Sequence, residues 1–324
     1  MTAKSDYLID VAVLLIFFNR PEQTKRVFDV IKKARPSTLF LYQDGPRINR
    51  NDMPGIISCR DIVEEIDWEC DIYRMYQDKN MGCDPSEYIA QKWMFSHVDK
   101  GIVLEDDDVP SLSFFPFCKE LLDRYEYDDR INMICGMNTL GTYDECPDDY
   151  FFAQGGSIWG WASWKRVIDQ WTPDYEFLDD AYALRLLKGS LSSLSYKRLI
   201  GKCREHKMTG RAHYETILGS NLYLNGRVNI IPRVNMICNI GISPESTHSV
   251  SDEFFLPRAI RRVMNMNVHD LNFPLRHPNY VITDTDYVKK TSTLLNGNWF
   301  VRTFRLRKIE SKIYRIFPFL GKMM

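Results

Sequence analysis

The chain has 324 residues, a formal net charge of −1 and 44% hydrophobic residues. This length suffices for one large α/β domain, or for one domain with an appendage. The near-neutral charge excludes a general attraction to nucleic acid, so we expect no nucleic-acid partner and only a local site for any polyanion.

The cysteine pattern and the hydropathy favour a cytoplasmic protein. The eight cysteines form no CxxC pair and no zinc-ligand spacing, so we interpret them as reduced thiols. The apolar stretch at residues 11–18 lacks the basic flank and the cleavage site of a signal peptide. No run of apolar residues is long enough to predict a membrane-spanning helix.

Strand and helix patterns alternate along the first third of the chain. Apolar runs predict buried strands at 11–18, 39–43, 70–76 and 101–105, with helices at 21–34, 56–66 and 84–98 between them. Asp84 is the predicted N-cap of the third helix. The alternation predicts βαβ units around a largely parallel sheet.

Polar residues follow three of the predicted strands. Asn19 and Arg20 follow the first, Asp44 follows the second, and the run Glu105–Asp108 ends the fourth. In such sheets ligands gather at the carboxyl ends of the strands, so these residues should converge on one edge.

The four consecutive carboxylates of Glu105–Asp108 predict a metal site. Mg²⁺ and Mn²⁺ typically take one or two protein carboxylates together with substrate phosphates and waters. A metal there could bridge to a diphosphate, and Arg20 could add a bidentate contact to the same phosphates. The alternative is a solvated acidic loop. The sequence contains no P-loop and no GxGxxG fingerprint.

Six segments resemble, in order, one known family of enzymes. They are FFNRPEQTKRVFDVI, LYQDG, KNMGC, GIVLEDDDVPSLSFFPFC, GGSIWGWASWKRV and VNMICNIGISPESTHS, spread over roughly residues 8–250. The family is a bacterial group of nucleotide-diphospho-sugar transferases, with a more distant similarity to eukaryotic N-acetylglucosaminyltransferase I. The resemblance implies a GT-A glycosyltransferase, with a Rossmann-like, mostly parallel sheet flanked by helices and a DxD motif present as Glu-Asp-Asp.

The resemblance implies a role for each matching residue. Asp107 would ligate Mn²⁺ or Mg²⁺, and Asp106 and Glu105 would face the ribose or the donor sugar. Asp108 stands where relatives often carry an uncharged residue, and we expect it to be exposed. His248 is similar to a late histidine that completes the metal shell, with a structural loop histidine as the alternative.

Two further matches concern the nucleotide. Arg20, with Asn19 beside it, matches an arginine that contacts the donor diphosphate, and Asp44 matches an aspartate that reads the base. The Asp44 carboxylate would accept a hydrogen bond from a uracil N–H, which favours a UDP-sugar as the donor.

The segment GGSIWGWASWKRV has two interpretations. Its tryptophans could be ordinary core, or they could pack on a sugar face while the glycines permit close backbone approach. In the family this element lies by the donor sugar and the acceptor cleft. We expect one tryptophan to line the site, with Gly156, Trp159 and Trp161 as candidate donor contacts.

An inverting transferase needs a general base for the acceptor hydroxyl. Relatives carry an aspartate in a Trp-Asp segment, whereas this chain reads TGRAHYETILGSNLYLNG at 209–226. We favour Glu215 as the base, with His213 as the alternative. Glu215 could instead be a first-turn residue stabilised by the helix dipole.

The C-terminal residues differ in character from the rest of the chain. Residues 298–324 are basic and place aromatic and aliphatic side chains near one helical face, which predicts an amphipathic helix. It could lie on the inner face of the cytoplasmic membrane or dock on the protein. We therefore predict a glycosyltransferase domain at 1–250 and a C-terminal extension at 251–324.

Taken with the resemblance, these features predict a metal-dependent transferase. It would move a sugar from a nucleotide-diphosphate donor to a saccharide or lipid-linked saccharide in bacterial surface polysaccharide synthesis, with inversion. The alternatives are a sugar nucleotidyltransferase, which would normally carry a glycine-rich phosphate loop, and a non-catalytic protein that binds metal or nucleotide.

Overall fold

Buried apolar runs form the strands in the computed structural model, which describes residues 6–210, 213–241 and 261–296. The run at 11–18 lies largely within β1 (Ile9–Phe17), whose residues 11–17 are all buried because helices cover both faces. α1 (Pro21–Ala34) begins with proline, which is pre-organised for a first helical turn. The other strands are β2 (Pro36–Gln43), β3 (Asp71–Tyr76), β4 (Lys100–Glu105), β5 (Asp108–Pro110), β6 (Ile131–Cys135), β7 (Tyr150–Ala153), β8 (Trp161–Trp164), β9 (Val228–Pro232) and β10 (Ile237–Asn239). The other helices are α2 (Met53–Val63), α3 (Cys83–His97), α4 (Phe114–Arg124), α5 (Lys165–Ile168), α6 (Ala181–Ser190), α7 (Ser193–Thr209), α8 (Tyr214–Leu224) and α9 (Thr285–Asn296).

The main sheet has eight strands in the order β3-β2-β1-β4-β8-β6-β9-β7. β3, β2, β1 and β4 pair in parallel, as the alternation of strands and helices predicted. β8 runs antiparallel between β4 and β6, β9 is parallel to β6, and β7 is antiparallel to β9. β5 and β10 form a separate antiparallel pair. The protein is therefore α/β, with a mostly parallel sheet flanked by helices, which confirms the predicted fold class.

Two hydrophobic layers cover the faces of the sheet. Val13 and Leu15 of β1 belong to the same cluster as Phe28 of α1, whereas Leu14 belongs to the same cluster as Met94 of α3. Alternate residues of β1 serve opposite layers because successive side chains of a strand point to opposite faces. The carboxyl ends of β2, β1 and β4 thus lie side by side between the two layers of helices.

The predicted N-cap of the third helix was wrong by two residues. α3 begins at Cys83 with Gly82 as its N-cap, and Asp84 lies in the first turn without capping it. Gly82 has a φ of 91°, a conformation that glycine adopts at little cost. Its backbone N–H donates to Asp44 Oδ2 at 3.1 Å. A tertiary contact therefore decides where this helix begins.

Residues 261–296 pack against the main sheet. Val263 and Leu275 belong to its hydrophobic core, and Tyr287 of α9 is buried with its ring 4.7 Å from that of Phe151. The predicted domain boundary at residue 250 and the predicted helix at 298–324 lie outside the described residues. Among the described helices, none combines the length and the hydropathy needed to span a bilayer.

Candidate active site

The carboxyl ends of β1, β2 and β4 open onto a cavity of about 310 Å³. Asn19, Arg20, Asp44, Glu105 and Asp106 all line it, so the sequence correctly predicted that these residues converge on one sheet edge. They converge because β2, β1 and β4 are adjacent parallel strands, whose carboxyl ends face the same way. The first turns of α3 add further lining residues.

Arg20 links the two central carboxylates of the acidic run. Its guanidinium forms an ion pair with Asp106 and lies 3.0 Å from Asp107 Oδ2. Burial lowers the pKa of Arg20, but the attraction of the two carboxylates outweighs burial and raises that pKa overall. Arg20 therefore stays charged and neutralises part of the acidic run. For Asp106 the balance is reversed, because burial raises its pKa more than Arg20 lowers it.

Asp108 was predicted to be exposed, and this prediction was wrong. Its side chain is fully buried and accepts hydrogen bonds from the Gly160 backbone N–H at 2.8 Å and from Asn239 Nδ2 at 3.1 Å. Burial, reinforced by the nearby Asp107, raises the pKa of Asp108 well above its usual value. Asp108 begins β5, and its bonds join that strand to β10 and to the turn before β8. It positions the chain after the acidic run.

Asp107 retains acceptor capacity toward solvent. Its side chain is 13% exposed, and among the described residues its polar partners are Arg20 and, at 3.3 Å, Asn239 Nδ2. A carboxylate can accept about four hydrogen bonds, so oxygen lone pairs are left for a cation. A Cβ atom added at Gly241 would collide with Asp107 Oδ2, so the backbone passes this carboxylate as closely as glycine permits.

The acidic run fits a metal ion that takes most of its ligands from phosphates and waters and few from the protein. In the described part of the chain, no group of three or more His, Cys, Asp or Glu side chains is arranged around one point. Mg²⁺ and Mn²⁺ need only one or two carboxylates when phosphates and waters complete the shell, and Asp107 can supply one. His248, the predicted second ligand, lies outside the described residues.

Helix α3 contributes a carboxylate that the sequence analysis missed. Glu87 is 7% exposed, lines the cavity and accepts a 3.2 Å hydrogen bond from the Cys83 thiol. Tyr214 of α8 donates to Glu105 Oε1 at 3.2 Å and also bonds to Glu87. Burial raises the pKa of Glu87 to about 8. Burial, with Glu87 close by, also raises the pKa of Glu105 well above its usual value.

No signal in the sequence distinguished Glu87 from a solvated helix residue. The buried residues of α3 include Ser86, Glu87 and Gln91 beside Ala90 and Met94, so polar and apolar residues share its inward face. A helix without a clear apolar stripe does not reveal which of its carboxylates points inward.

Asp44 holds a loop in place. Its Oδ1 accepts from the backbone N–H groups of Gly45 at 2.9 Å and Met81 at 2.8 Å. Its Oδ2 accepts from Asn80 Nδ2 at 2.7 Å and from the Gly82 N–H at 3.1 Å. These four bonds match the full accepting capacity of a carboxylate. The described contacts of Asp44 therefore organise residues 80–82 at the start of α3, and its predicted contact with a base stays a prediction.

The tryptophan segment lies mainly in the core. Trp161 is 1% exposed within the layer that contains Met94, whereas Trp159 is partly buried against the opposite layer. Gly156 has a φ of 138°, and a Cβ atom there would meet Cys135 Sγ at 2.6 Å. Gly156, Trp159 and Trp161 are not among the described residues that line the cavity. Their predicted donor contacts find no support in this placement and stay predictions.

The two candidate bases have different surroundings. His213 is the N-cap of α8, and its Nδ1 lies 3.3 Å from Asp84 Oδ1, which lines the cavity. Its ring also stacks on His206 with the centroids 3.6 Å apart. Glu215 lies exposed in the first turn of α8, as the dipole interpretation allowed. Asp84 thus connects His213 to the cavity wall.

Comparison with known proteins adds one distant likeness. No protein-family model matches the chain, and no curated protein matches it. Among solved structures it is similar to mannosyltransferase PcManGT from Pyrobaculum calidifontis, which was solved in complex with GDP-Man and Mn²⁺. The identity is 9% and the TM-score 0.32, and the match covers 51% of this chain and 47% of that one. The chain thus spans about half of that protein, and so slight a likeness supports no conclusion about activity.

Proposed function

We propose that this protein is a metal-dependent glycosyltransferase of the GT-A type. It transfers a sugar from a nucleotide-diphosphate donor, with a UDP-sugar favoured, to a saccharide or lipid-linked saccharide acceptor. The reaction inverts the anomeric centre and serves bacterial surface polysaccharide synthesis. The ordered resemblance of six segments supports this proposal, as does the convergence of their polar residues on one cavity.

The observation that carries the proposal is the charge of that cavity. Its lining contains five acidic side chains and two arginines. Both arginines are already paired, Arg20 with Asp106 and Asp107 and Arg47 with Asp52. A diphosphate that entered alone would therefore find no arginine of the lining that is free of an acidic partner. A divalent cation on Asp107, which lies beside the lining residues Arg20 and Asp106, would supply the positive charge that a diphosphate needs.

The metal, Arg20 and the candidate base each have a separate role toward the substrates. The metal, when bound, neutralises charge that develops on the departing nucleotide diphosphate. Arg20 remains protonated between Asp106 and Asp107, and those of its N–H groups that do not bond to these carboxylates can donate to phosphate oxygens. Either Glu215 or His213 removes the proton of the acceptor hydroxyl, and His213 is oriented for this by Asp84.

Calorimetric titration with UDP and with GDP, with and without Mn²⁺, tests the proposal. Asp107→Ala should abolish the manganese-dependent part of nucleotide binding and leave the circular dichroism spectrum unchanged. Asp61→Ala, which removes an exposed carboxylate from α2, is the matched control. Metal-dependent binding that survives Asp107→Ala would refute the metal assignment. Binding without sugar transfer or donor hydrolysis would favour a non-catalytic protein, and turnover of a nucleoside triphosphate with a sugar phosphate would indicate a nucleotidyltransferase.

A further inference from the structure

Helices α6 and α7 form a basic segment on the surface of the protein. Residues 181–209, which we call the α6–α7 segment, contain seven lysines and arginines and one carboxylate, Glu205. All seven basic side chains are exposed, namely Arg185, Lys188, Lys197, Arg198, Lys202, Arg204 and Lys207. The whole chain has a formal net charge of −1, so the remaining residues are together acidic. Positive charge is therefore concentrated in this segment, which favours an anionic partner.

Large apolar side chains of α6 are exposed among these charges. Tyr182 and Leu186 are one turn apart, so they share a helix face, and each is more than half exposed. The guanidinium of Arg185 lies over the Tyr182 ring, 4.9 Å from its centroid. The buried contact of α6 is made by Leu187, on another side of the helix. An exposed apolar pair beside basic residues indicates a partner that is both apolar and anionic.

Helix α7 shows the same combination of charge and apolar surface. Its buried residues share one face and are Ile200, Cys203 and His206. Leu194 and Met208, both exposed, lie about four turns apart on the opposite side, with Lys197 and Arg204 beside them. Basic helices of low overall hydropathy with an apolar side bind at the surface of anionic membranes, and four to eight clustered cations are typical of such sites.

The α6–α7 segment adjoins the cavity described above. The His206 ring of α7 stacks on that of His213, with the centroids 3.6 Å apart. His213 Nδ1 lies 3.3 Å from Asp84 Oδ1, and Asp84 lines the cavity. A bilayer bound to the segment would therefore lie close to this wall of the cavity.

We propose that the α6–α7 segment binds the surface of anionic phospholipid bilayers. Its lysines and arginines pair with lipid phosphates, and its four exposed apolar side chains enter the boundary between headgroups and acyl chains. The binding does not depend on the function proposed above. Only one consequence rests on that function, namely that a lipid-linked acceptor would meet the cavity at the membrane surface.

Sedimentation of the full chain with lipid vesicles gives the first test. Vesicles with about one third phosphatidylglycerol in phosphatidylcholine should bind the protein at least ~10-fold more tightly than phosphatidylcholine alone. That affinity should fall as salt rises from about 50 mM to about 300 mM, because salt screens the attraction between surface charges. Equal affinity for the two kinds of vesicle, or no binding to the anionic ones, would overturn the proposal.

Charge variants locate the surface. The triple variant Lys188→Gln, Lys197→Gln, Lys202→Gln should bind the anionic vesicles about 100-fold more weakly, since each cation near the membrane contributes about fivefold. The matched control removes three exposed charges from α1, which belongs to the hydrophobic layer on the other face of the sheet: Lys25→Gln, Arg26→Gln, Lys33→Gln. It should stay within about twofold of wild type, because charges beyond a Debye length are screened. Equal losses in the two triple variants would refute the assignment.

A neutral substitution tests whether apolar side chains enter the bilayer. Leu186→Gln should weaken vesicle binding by about 10-fold. Ile57→Gln, at a similarly exposed position of α2, is the control and should bind as wild type does. Wild-type binding by Leu186→Gln would show that the segment does not insert, and the proposal would fail.

The basic residues 298–324 are an alternative source of membrane binding. The variant Lys308→Gln, Lys312→Gln, Lys322→Gln removes three charges there. If that variant loses vesicle binding while the α6–α7 triple variant keeps it, the α6–α7 segment is not the contact. The nucleotide titrations described above need no vesicles, so failure of this proposal and failure of the proposed function are distinguishable.

Discussion

Replacing Arg20 by methionine tests whether this arginine holds the acidic run together. The side chain of Arg20 is 16% exposed, and those of its partners Asp106 and Asp107 are 5% and 13% exposed. Removing one partner from a largely buried ion pair leaves an uncompensated charge, which costs about 3–5 kcal/mol. We therefore expect Arg20→Met to lower the free energy of unfolding by about that amount at pH 7.5.

The cost should depend on pH in a definite direction. The folded pKa of Asp106 is already raised by burial against the attraction of Arg20, and removing Arg20 would raise it further. A carboxyl group with a raised folded pKa destabilises the fold as the pH rises above its unfolded value, because the unfolded chain then ionises first. The loss should therefore be smallest near pH 4 and should grow toward neutral pH.

Urea unfolding, followed by circular dichroism at pH 4.5 and pH 7.5, measures both effects. Arg130→Met is the control, because its side chain is 64% exposed and its pair with Asp128 should contribute less than about 1 kcal/mol. If the metal site exists, Mn²⁺ should stabilise Arg20→Met more than wild type, since a cation can then occupy the charge left beside Asp107. A loss below about 1 kcal/mol at pH 7.5, or equal losses at the two pH values, would refute this account of Arg20.

Three further predictions follow from the site. The pKa of Glu87 is about 8 in the fold against a usual 4.5, so wild-type stability should fall by up to ~4 kcal/mol between pH 5 and pH 8 through this group. Glu87→Gln should flatten that dependence in urea unfolding, and an unchanged slope would contradict the assignment. Asp44→Asn should cost about 2–4 kcal/mol in the same assay, because at least two of the four bonds that Asp44 accepts are lost, three of which organise residues 80–82; a loss under about 1 kcal/mol would count against it. Glu215→Gln should lower sugar transfer by about 10²–10⁴-fold and His213→Ala by much less, and the reverse order in that assay would assign the base to His213.

The sequence alone determined the framework of this protein. The strands at 11–18, 39–43, 70–76 and 101–105 and the helices between them depend on local apolar runs and helical periodicity, and each is present within a few residues of its predicted place. The parallel pairing of these strands follows from connections that are each long enough for a helix. That topology in turn required the polar residues after β1, β2 and β4 to meet at one edge, and all of them except Asp107 and Asp108 line one cavity.

The tertiary structure decided what each of these polar residues contacts. Arg20 and Asp106 are 86 residues apart, and Asn239 reaches Asp108 across 131 residues, so neither contact leaves a trace in local sequence. Asp44 and Asp108 both follow apolar runs, yet one organises a neighbouring loop and the other joins β5 to β10. Glu87 faces the cavity because α3 packs with polar residues on its inward side. The sequence shows where a carboxylate is, but not which hydrogen-bond donors surround it. The fold supplies those donors, and they decide whether the carboxylate anchors the chain or stays available to a ligand.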